Sequence, residues 1–431
     1  MSQTLNVLDT AQQLKAYYQQ KAQDSAEEQE FLKSKYNRYS LIRLAFFLLG
    51  AGLVAYLWAA LYWWIGLIAA SAFLFFFVRF VRWHQNIKKQ EIHQKHLHQI
   101  NINEGKAMNN DFSSFEGKAS FIDVNHPYAS DLDIFGDHSL YQAANRTVTN
   151  LGQQKLADLL LEYTSISEIK KRQEVLQELS PMIDWRQDFQ AIGLDSAFNP
   201  KDLDKLYQWI AMPYFYENRK WMHILRWLLP FLTMGGLSLC FIFLPLEAAV
   251  FMLLPNFLLL RSTFKDVNEI HERTDKAGEI LKVYADLIAH IENQEFDHPW
   301  LKEQQALFIE NNVKASRAIS KLSYIISQLN VRYNAFAAII NVFMLWDLQW
   351  MRRLDTWKKK YGVHLKDWFH GLENFDAFNS LATLVADNPE WTYPTIVNDN
   401  LLNTEELGHP LIDRIVRVSN DLIMSTTGHI K

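Results

Sequence analysis

Apolar residues are distributed along this chain in two ways. Two blocks are apolar without a break, and the segments around them alternate apolar and polar residues at helical spacing. The first block, LAFFLLGAGLVAYLWAALYWWIGLIAASAFLFFFV from Leu44 to Val78, holds no charge and is nearly twice the roughly 20 residues that cross a bilayer core. It predicts two crossings with a turn near Leu61–Gly66, where Tyr62, Trp63 and Trp64 supply rings that favour a membrane–water boundary. Arg38 and Arg43 flank one end; Arg79, Arg82, Lys88 and Lys89 flank the other. Basic flanks mark the cytoplasmic side, so both ends are expected there. A buried hairpin in a soluble core is the alternative, and the length of the charge-free run argues against it.

The second block runs from Trp227 to Leu260. Trp227–Leu244 predicts one span. Its partner, Leu246–Leu260, is short, carries Glu247 and Asn256, and meets Pro245 and Pro255, so it is the weaker span. Arg219, Lys220 and Arg226 precede the block and Arg261 and Lys265 follow it, which places its ends on the same side as those of the first. The expected organisation is mainly α: a cytoplasmic helix over 1–40, a transmembrane hairpin over 41–82, a juxtamembrane helix and helical domain over 83–222, a second hairpin over 223–262, further helices over 263–390, and the start of another domain over 391–431. The first hairpin has no ionisable residue inside it, which disfavours transport. The reading is therefore of a multi-pass inner-membrane protein whose partner is the lipid bilayer and whose other segments face the cytoplasm.

Outside the blocks, helical periodicity dominates. His84, His93, His96 and His98 lie on the juxtamembrane helix, and His93 and His96 share a face. Metal binding is conceivable there, but no cysteine or tight carboxylate cluster completes a shell, and a basic helix near lipid headgroups is the simpler reading. Residues 264–334 predict two long amphipathic helices, with Ile280, Tyr284, Leu287 and Ile291 on one face and a break at Asp297–Pro299. A third helix is expected from Tyr333 to Tyr361. Its apolar part, Ala335–Trp346, contains Asn341 and is too short to span, so it predicts a packed core helix. Its basic end gathers Arg352, Arg353, Lys358, Lys359 and Lys360 around Trp357. Cations there complement the helix dipole; the alternative is a patch that contacts the phosphates of duplex DNA.

Composition adds limits. The mean hydropathy of −0.14 is too modest for a polytopic transporter, and the net charge of −5 makes no global case for nucleic acid. The lone cysteine, Cys240, leaves no internal disulfide or cysteine zinc site. The first forty residues are polar, so no cleavable signal is expected.

Three further segments are more specific. Ser139-Leu140-Tyr141-Gln142, Asn145-Arg146-Thr147-x-Thr149-x-x-Gly152 and Leu156-Ala157 predict a helix, a polar turn and a second helix. Ser165 and Glu168 form a capping box that opens the helix through Val175-Leu176. Near the other end stand Glu373-Asn-Phe-Asp376 with Ser380-Leu381-Ala382, then Trp391-Thr-Tyr393-Pro394, Gly408-His409-Pro410-Leu411-Ile412 and Val418-Ser-Asn420-Asp421-Leu422. Together these resemble the core domain, and the beginning of the ATPase domain, of the MutS family of DNA mismatch repair proteins. The resemblance covers roughly 120–190 and 335–431. It implies a strand at Trp391–Pro394, ATP and Mg2+ as cofactors of a full-length form, duplex DNA as a ligand and a homodimer. It also implies that His409, Pro410 and Asn420 lie beside an adenine pocket, unless they only start a strand.

The chain departs from that family in three respects. No G-x-x-x-x-G-K-[ST] phosphate loop occurs, and the sequence stops at Lys431, where the next strand is expected, so the chain reads as truncated or as a fragment. The Phe-x-Glu wedge of the mismatch-reading domain has no counterpart in place; Phe215–Glu217 and Phe308–Glu310 match by chance. The segment 264–334 is too short for long levers plus a DNA clamp. The expected function is thus a membrane-anchored MutS-like protein that binds and hydrolyses ATP when complete, with no catalytic residue and no metal ligand assigned in this chain. The alternative is a non-enzymatic membrane scaffold of the same fold.

Overall fold

The computed structural model describes residues 2–60, 62–194, 200–242, 248–310, 313–333, 335–397, 401–413 and 415–425. The chain is mainly α-helical and divides into two compact units. One comprises 1–146, 160–194 and 380–431; the other comprises 147–159 and 195–379.

The first unit is dominated by two long helices, α1 (Ser2–Ala60) and α2 (Trp63–Ala107), which form an antiparallel hairpin. The turn falls at Tyr62, inside the expected 61–66 window. At 1.5 Å per residue α1 is roughly 90 Å long, far more than a membrane crossing needs. The hairpin has two chemical regimes. In its polar half, Tyr18, Ala22 and Leu32 pack inward with Ile87 and Ile100. His84, fully buried, stacks on Tyr36 at 4.1 Å between ring centroids. In its apolar half, Phe46 and Phe47 meet Phe73 and Phe77, while Leu48, Leu49, Leu53, Phe75 and Phe76 stay exposed. Both helices are long and apolar enough to cross a membrane. The polar helix expected over 1–40 and the juxtamembrane helix are not separate elements: each runs into an apolar segment of the same helix without a break, because no Pro or Gly falls at either junction.

The rest of this unit is short. Ser139 caps α3 (Leu140–Ala144) by accepting from Gln142 N at 3.1 Å. Next comes α4 (Asn150–Leu161), whose last residues belong here. Ser165 caps α5 (Ile166–Leu179) through Glu168 N at 3.2 Å, as the capping box predicts. Against α2 lies α6 (Ile183–Gly193).

In the second unit, α7 (Pro200–Ala211) precedes α8 (Met222–Ile242) and α9 (Ala248–Thr274). The latter two pack on each other and hold the second apolar block; the connection around Pro245 and Glu247 lies outside the described residues. Residues 264–334, expected as two helices, are more finely divided. The end of α9 is followed by α10 (Ala277–Glu292), α11 (Pro299–Ala306), a small antiparallel pair β1 (Ile309–Glu310) and β2 (Val313–Lys314), and α12 (Ala315–Asn330). The predicted face of α10 is the buried one: Ile280, Tyr284, Leu287 and Ile291 all lie inside. The helix expected from Tyr333 to Tyr361 is also divided. Leu345 adopts left-handed backbone, φ 51°, between α13 (Ala335–Met344) and α14 (Trp346–Tyr361). Asn341 stabilises the break, its carbonyl accepting from Leu345 N and its side-chain oxygen from Asp347 N. Then α15 (Leu365–Asp387) runs on to supply residues to both units.

The C-terminal part returns to the first unit. Trp391–Pro394, expected as a strand, is irregular. The strands are β3 (Leu401–Leu407) and β4 (Asn420–Ser425), an antiparallel pair with Leu402 opposite Met424.

Candidate functional site

Each unit encloses a knot of buried charge, and in both cases the Asn145–Gly152 turn meets α15. In the first unit, Arg146 is buried and bound in a fork by Glu104 of α2, with Nε–Oε1 and Nη2–Oε2 both at 2.9 Å. Its Nη1 donates to Ala143 O at 2.6 Å, and its plane stacks 3.6 Å above the Phe115 ring. Its backbone is held as firmly: N donates to Ser380 Oγ at 2.6 Å, and O accepts from Gln190 Nε2 at 3.1 Å. Asp387, at the end of α15, sits 3.9 Å from Arg146 Nη2 and accepts from Tyr18 Oη at 2.6 Å. Arg186 donates to Ser180 O at 2.9 Å and to Thr383 Oγ1. Burial pushes Asp387 well above the usual carboxylate range and Glu104 adds to it; Arg146 pulls it back. Burial also raises the Tyr18 phenol and lowers Arg186. Fork geometry and complementary charge offset the cost of taking these groups out of water.

In the second unit, fully buried Asp376 of α15 caps the start of α4. It accepts from Val148 N at 3.0 Å, Thr149 N at 2.8 Å and Thr149 Oγ1 at 2.7 Å. Thr149 Oγ1 in turn accepts from Gly152 N at 2.9 Å. A side chain at position 152 would collide with the carboxylate, so only glycine allows this approach. Burial raises Asp376 to about 7, against the opposing pull of its three donors.

The residues expected near nucleotide belong to the C-terminal part of the first unit. His409 and Pro410 are in the loop after β3, and Asn420 opens β4 opposite Leu407. His409 is exposed, and its Nδ1 accepts from Leu411 N at 3.3 Å; Asn420 is exposed too. Pro410 lines a narrow cleft with Ala107, Arg146, Asp387 and Trp391.

The five cations on α14 do not share one surface. Lys358 falls on the buried face with Met351 and Leu354, at helical spacing. Its ammonium donates to the carbonyls of Trp209, at 2.9 Å, and Met212. It therefore leaves the expected phosphate-contacting patch, and burial lowers its pKa. Trp357, expected at the centre of that patch, is interior and donates to Ala318 O at 2.7 Å. Lys359 and Lys360 are exposed, Arg352 is half-buried, and Arg353 stacks on Trp350 at 4.0 Å. The histidines of α2 address separate partners: His93 meets Asp188 at 3.0 Å, His96 the carbonyl of Ala191 and His98 that of Ala22. Among the described residues, no three His, Cys, Asp or Glu side chains are grouped to hold a metal ion.

No family model, curated protein or solved structure matches this chain.

In the sequence Arg146, Thr149, Gly152, Asp376 and Ser380 stand out only as parts of a pattern, and that pattern does not include Glu104, Arg186 or Asp387. The available signal is a polar stripe at helical spacing, Asp376, Ser380, Thr383 and Asp387, on a helix that also buries Phe375, Ala377, Phe378 and Ala382.

Proposed function

We propose that the chain is the membrane-anchored helical portion of a MutS-like ATPase, with its two hairpins in the inner membrane and its remaining segments in the cytoplasm. The observation that carries the anchor is the apolar half of the first hairpin. Leu49, Leu53, Tyr56, Phe75 and Phe76 are 58–75% exposed along a charge-free length, and Arg43 and Arg79 stand at its base. In water such a surface would aggregate; in lipid it is the solvated one. What supports the MutS-like part is that segments far apart in sequence, chosen for their resemblance, meet through specific polar contacts: Arg146 with Ser380, and Thr149 with Asp376. In this reading ATP and Mg2+ are bound by a complete form, not by this chain, and DNA contact, if made, uses Arg352, Arg353, Lys359 and Lys360. Homodimerisation follows from the same resemblance.

A second reading, a scaffold without catalysis, is favoured by the exposed apolar residues of the C-terminal ribbon, among them Leu401, Leu402, Leu407, Val418 and Ile423. That surface suits a protein partner.

The test of topology uses single cysteines at Glu27, Gln154, Glu405 and Tyr62 in a Cys240→Ser background. In right-side-out vesicles an impermeant thiol reagent should reach only the Tyr62 position. External labelling at any of the other three rejects the arrangement. For catalysis, the purified chain should release phosphate from ATP no faster than buffer; turnover abolished by a point mutation here would refute the reading.

A further inference from the structure

The short apolar helix α13 is not a core helix. Its exposed side carries Ile339, Ile340 and Met344, 57%, 44% and 45% accessible. Its ten residues, Ala335–Met344, hold no charge. Both ends of the excursion are tied to one place. Trp346 Nε1 donates to the carbonyl of Gln328, in the last turn of α12, at 3.0 Å. Arg332, just before α13, pairs with Asp347, just after it, at 3.4 Å. The chain thus leaves α12 and returns beside it. A helix of ten residues is about 15 Å long, half of the roughly 30 Å of a bilayer core, and a segment with its ends pinned together does not cross.

The other side of α13 packs on α8 and α9. There Asn256, fully buried in the second apolar block, donates to Val342 O at 2.8 Å and to Thr233 Oγ1 at 3.1 Å. Val342 lies in the last turn of α13, where carbonyls run out of helical amides. Where water is excluded, such a carbonyl needs a side-chain donor. This gives Asn256 a reason to sit in an otherwise apolar block. On α8 and α9 themselves, Phe231, Leu232, Phe251, Phe257 and Leu258 are exposed as well. Among the described residues of the block and of α13 there is no charge; Arg226, Arg261 and Arg332 flank them.

We infer that α13 is a further membrane-embedded segment, a re-entrant helix that lies against α8 and α9 with its Ile339–Ile340 face in the acyl chains of the cytoplasmic leaflet. The inference rests on the membrane reading above, and the test separates the two. Spin labels are placed singly at Ile339, Ile340, Leu53, Phe75 and Lys359 of the full chain, in the Cys240→Ser background. The protein is reconstituted into phosphatidylcholine–phosphatidylglycerol liposomes. Power saturation then compares collisions with oxygen, enriched in lipid, and with a water-soluble nickel chelate. The expected result is that Ile339 and Ile340 behave like Leu53 and Phe75, with oxygen strongly favoured, while Lys359 favours nickel. Nickel access at 339 and 340 with lipid-like behaviour at 53 and 75 overturns the re-entrant segment alone. Shielding of 339 and 340 from both reagents, the signature of protein cover, overturns it too. Nickel access at all four overturns the membrane reading itself.

Discussion

Replacing Gly152 by alanine should break the Asp376 cap of α4. A Cβ at position 152 would lie 2.1 Å from Asp376 Oδ2 and 2.7 Å from its Cβ. The carboxylate cannot swing aside, because it is fully buried and held by Val148 N, Thr149 N and Thr149 Oγ1. Forcing a methyl group into a packed site costs about 1–3 kcal/mol. Displacing the carboxylate from its amides adds about 1–2 kcal/mol. Alanine recovers up to about 1 kcal/mol of helix propensity, leaving a net loss of about 1–5 kcal/mol. The measurement is urea unfolding in mild detergent, followed by tryptophan fluorescence and far-UV circular dichroism. Repeating it in an Asp376→Ala background completes a double-mutant cycle. With the carboxylate gone the methyl has room, so its cost should fall by more than about 1 kcal/mol. A single-mutant cost under about 0.5 kcal/mol, or costs that add within that margin, would refute the account.

The same carboxylate makes stability depend on pH. Its folded value, about 7, lies above the ordinary 3.8, so protonation favours the folded state. The stabilisation is complete below about pH 4, declines between about pH 4 and 7 and is gone above that; the urea midpoint should drop across that window and level off above it, and Asp376→Asn should shrink the drop. Asp387, Asp347, Asp355 and Glu373 shift in the same direction and leave the remainder. Arg146→Met strips Glu104 of its forked partner in the interior, which should cost about 3–5 kcal/mol in the same unfolding assay; a change below about 1 kcal/mol would show that the pair is not held as described. Lys358→Gln should destabilise by about 2 kcal/mol through the lost bonds to Trp209 and Met212, whereas Lys359→Gln should be neutral in stability. In a titration with labelled duplex at low salt, any binding should fall on replacing Arg352, Arg353, Lys359 and Lys360 by Gln and be indifferent to mismatches; a preference for mismatched duplex of about tenfold, about 1.4 kcal/mol, would contradict the reading of this chain as lacking a mismatch reader.

Local pattern was enough to reveal several elements. The charge-free run at 44–78 and its turn at the Tyr62 aromatics appear as a hairpin because length and the absence of a breaker decide helix and turn before any packing does. The Ser165 cap and the inward face of α10 follow for the same reason: capping and 3.6-residue periodicity act within one helix. Tertiary structure decided what depends on partners distant in the chain. Lys358 looked like its neighbours Lys359 and Lys360, but helical phase against α7 turned it inward. Asn341, an interruption in an apolar stretch, ends α13 by capping its own turn, and Asn256 answers a carbonyl 86 residues away. Arg146 and Asp376 find their partners 42 residues upstream and 227 residues upstream respectively. A buried charge is tolerable only where the fold delivers its counterpart, and no local pattern in the sequence names which distant residue that will be.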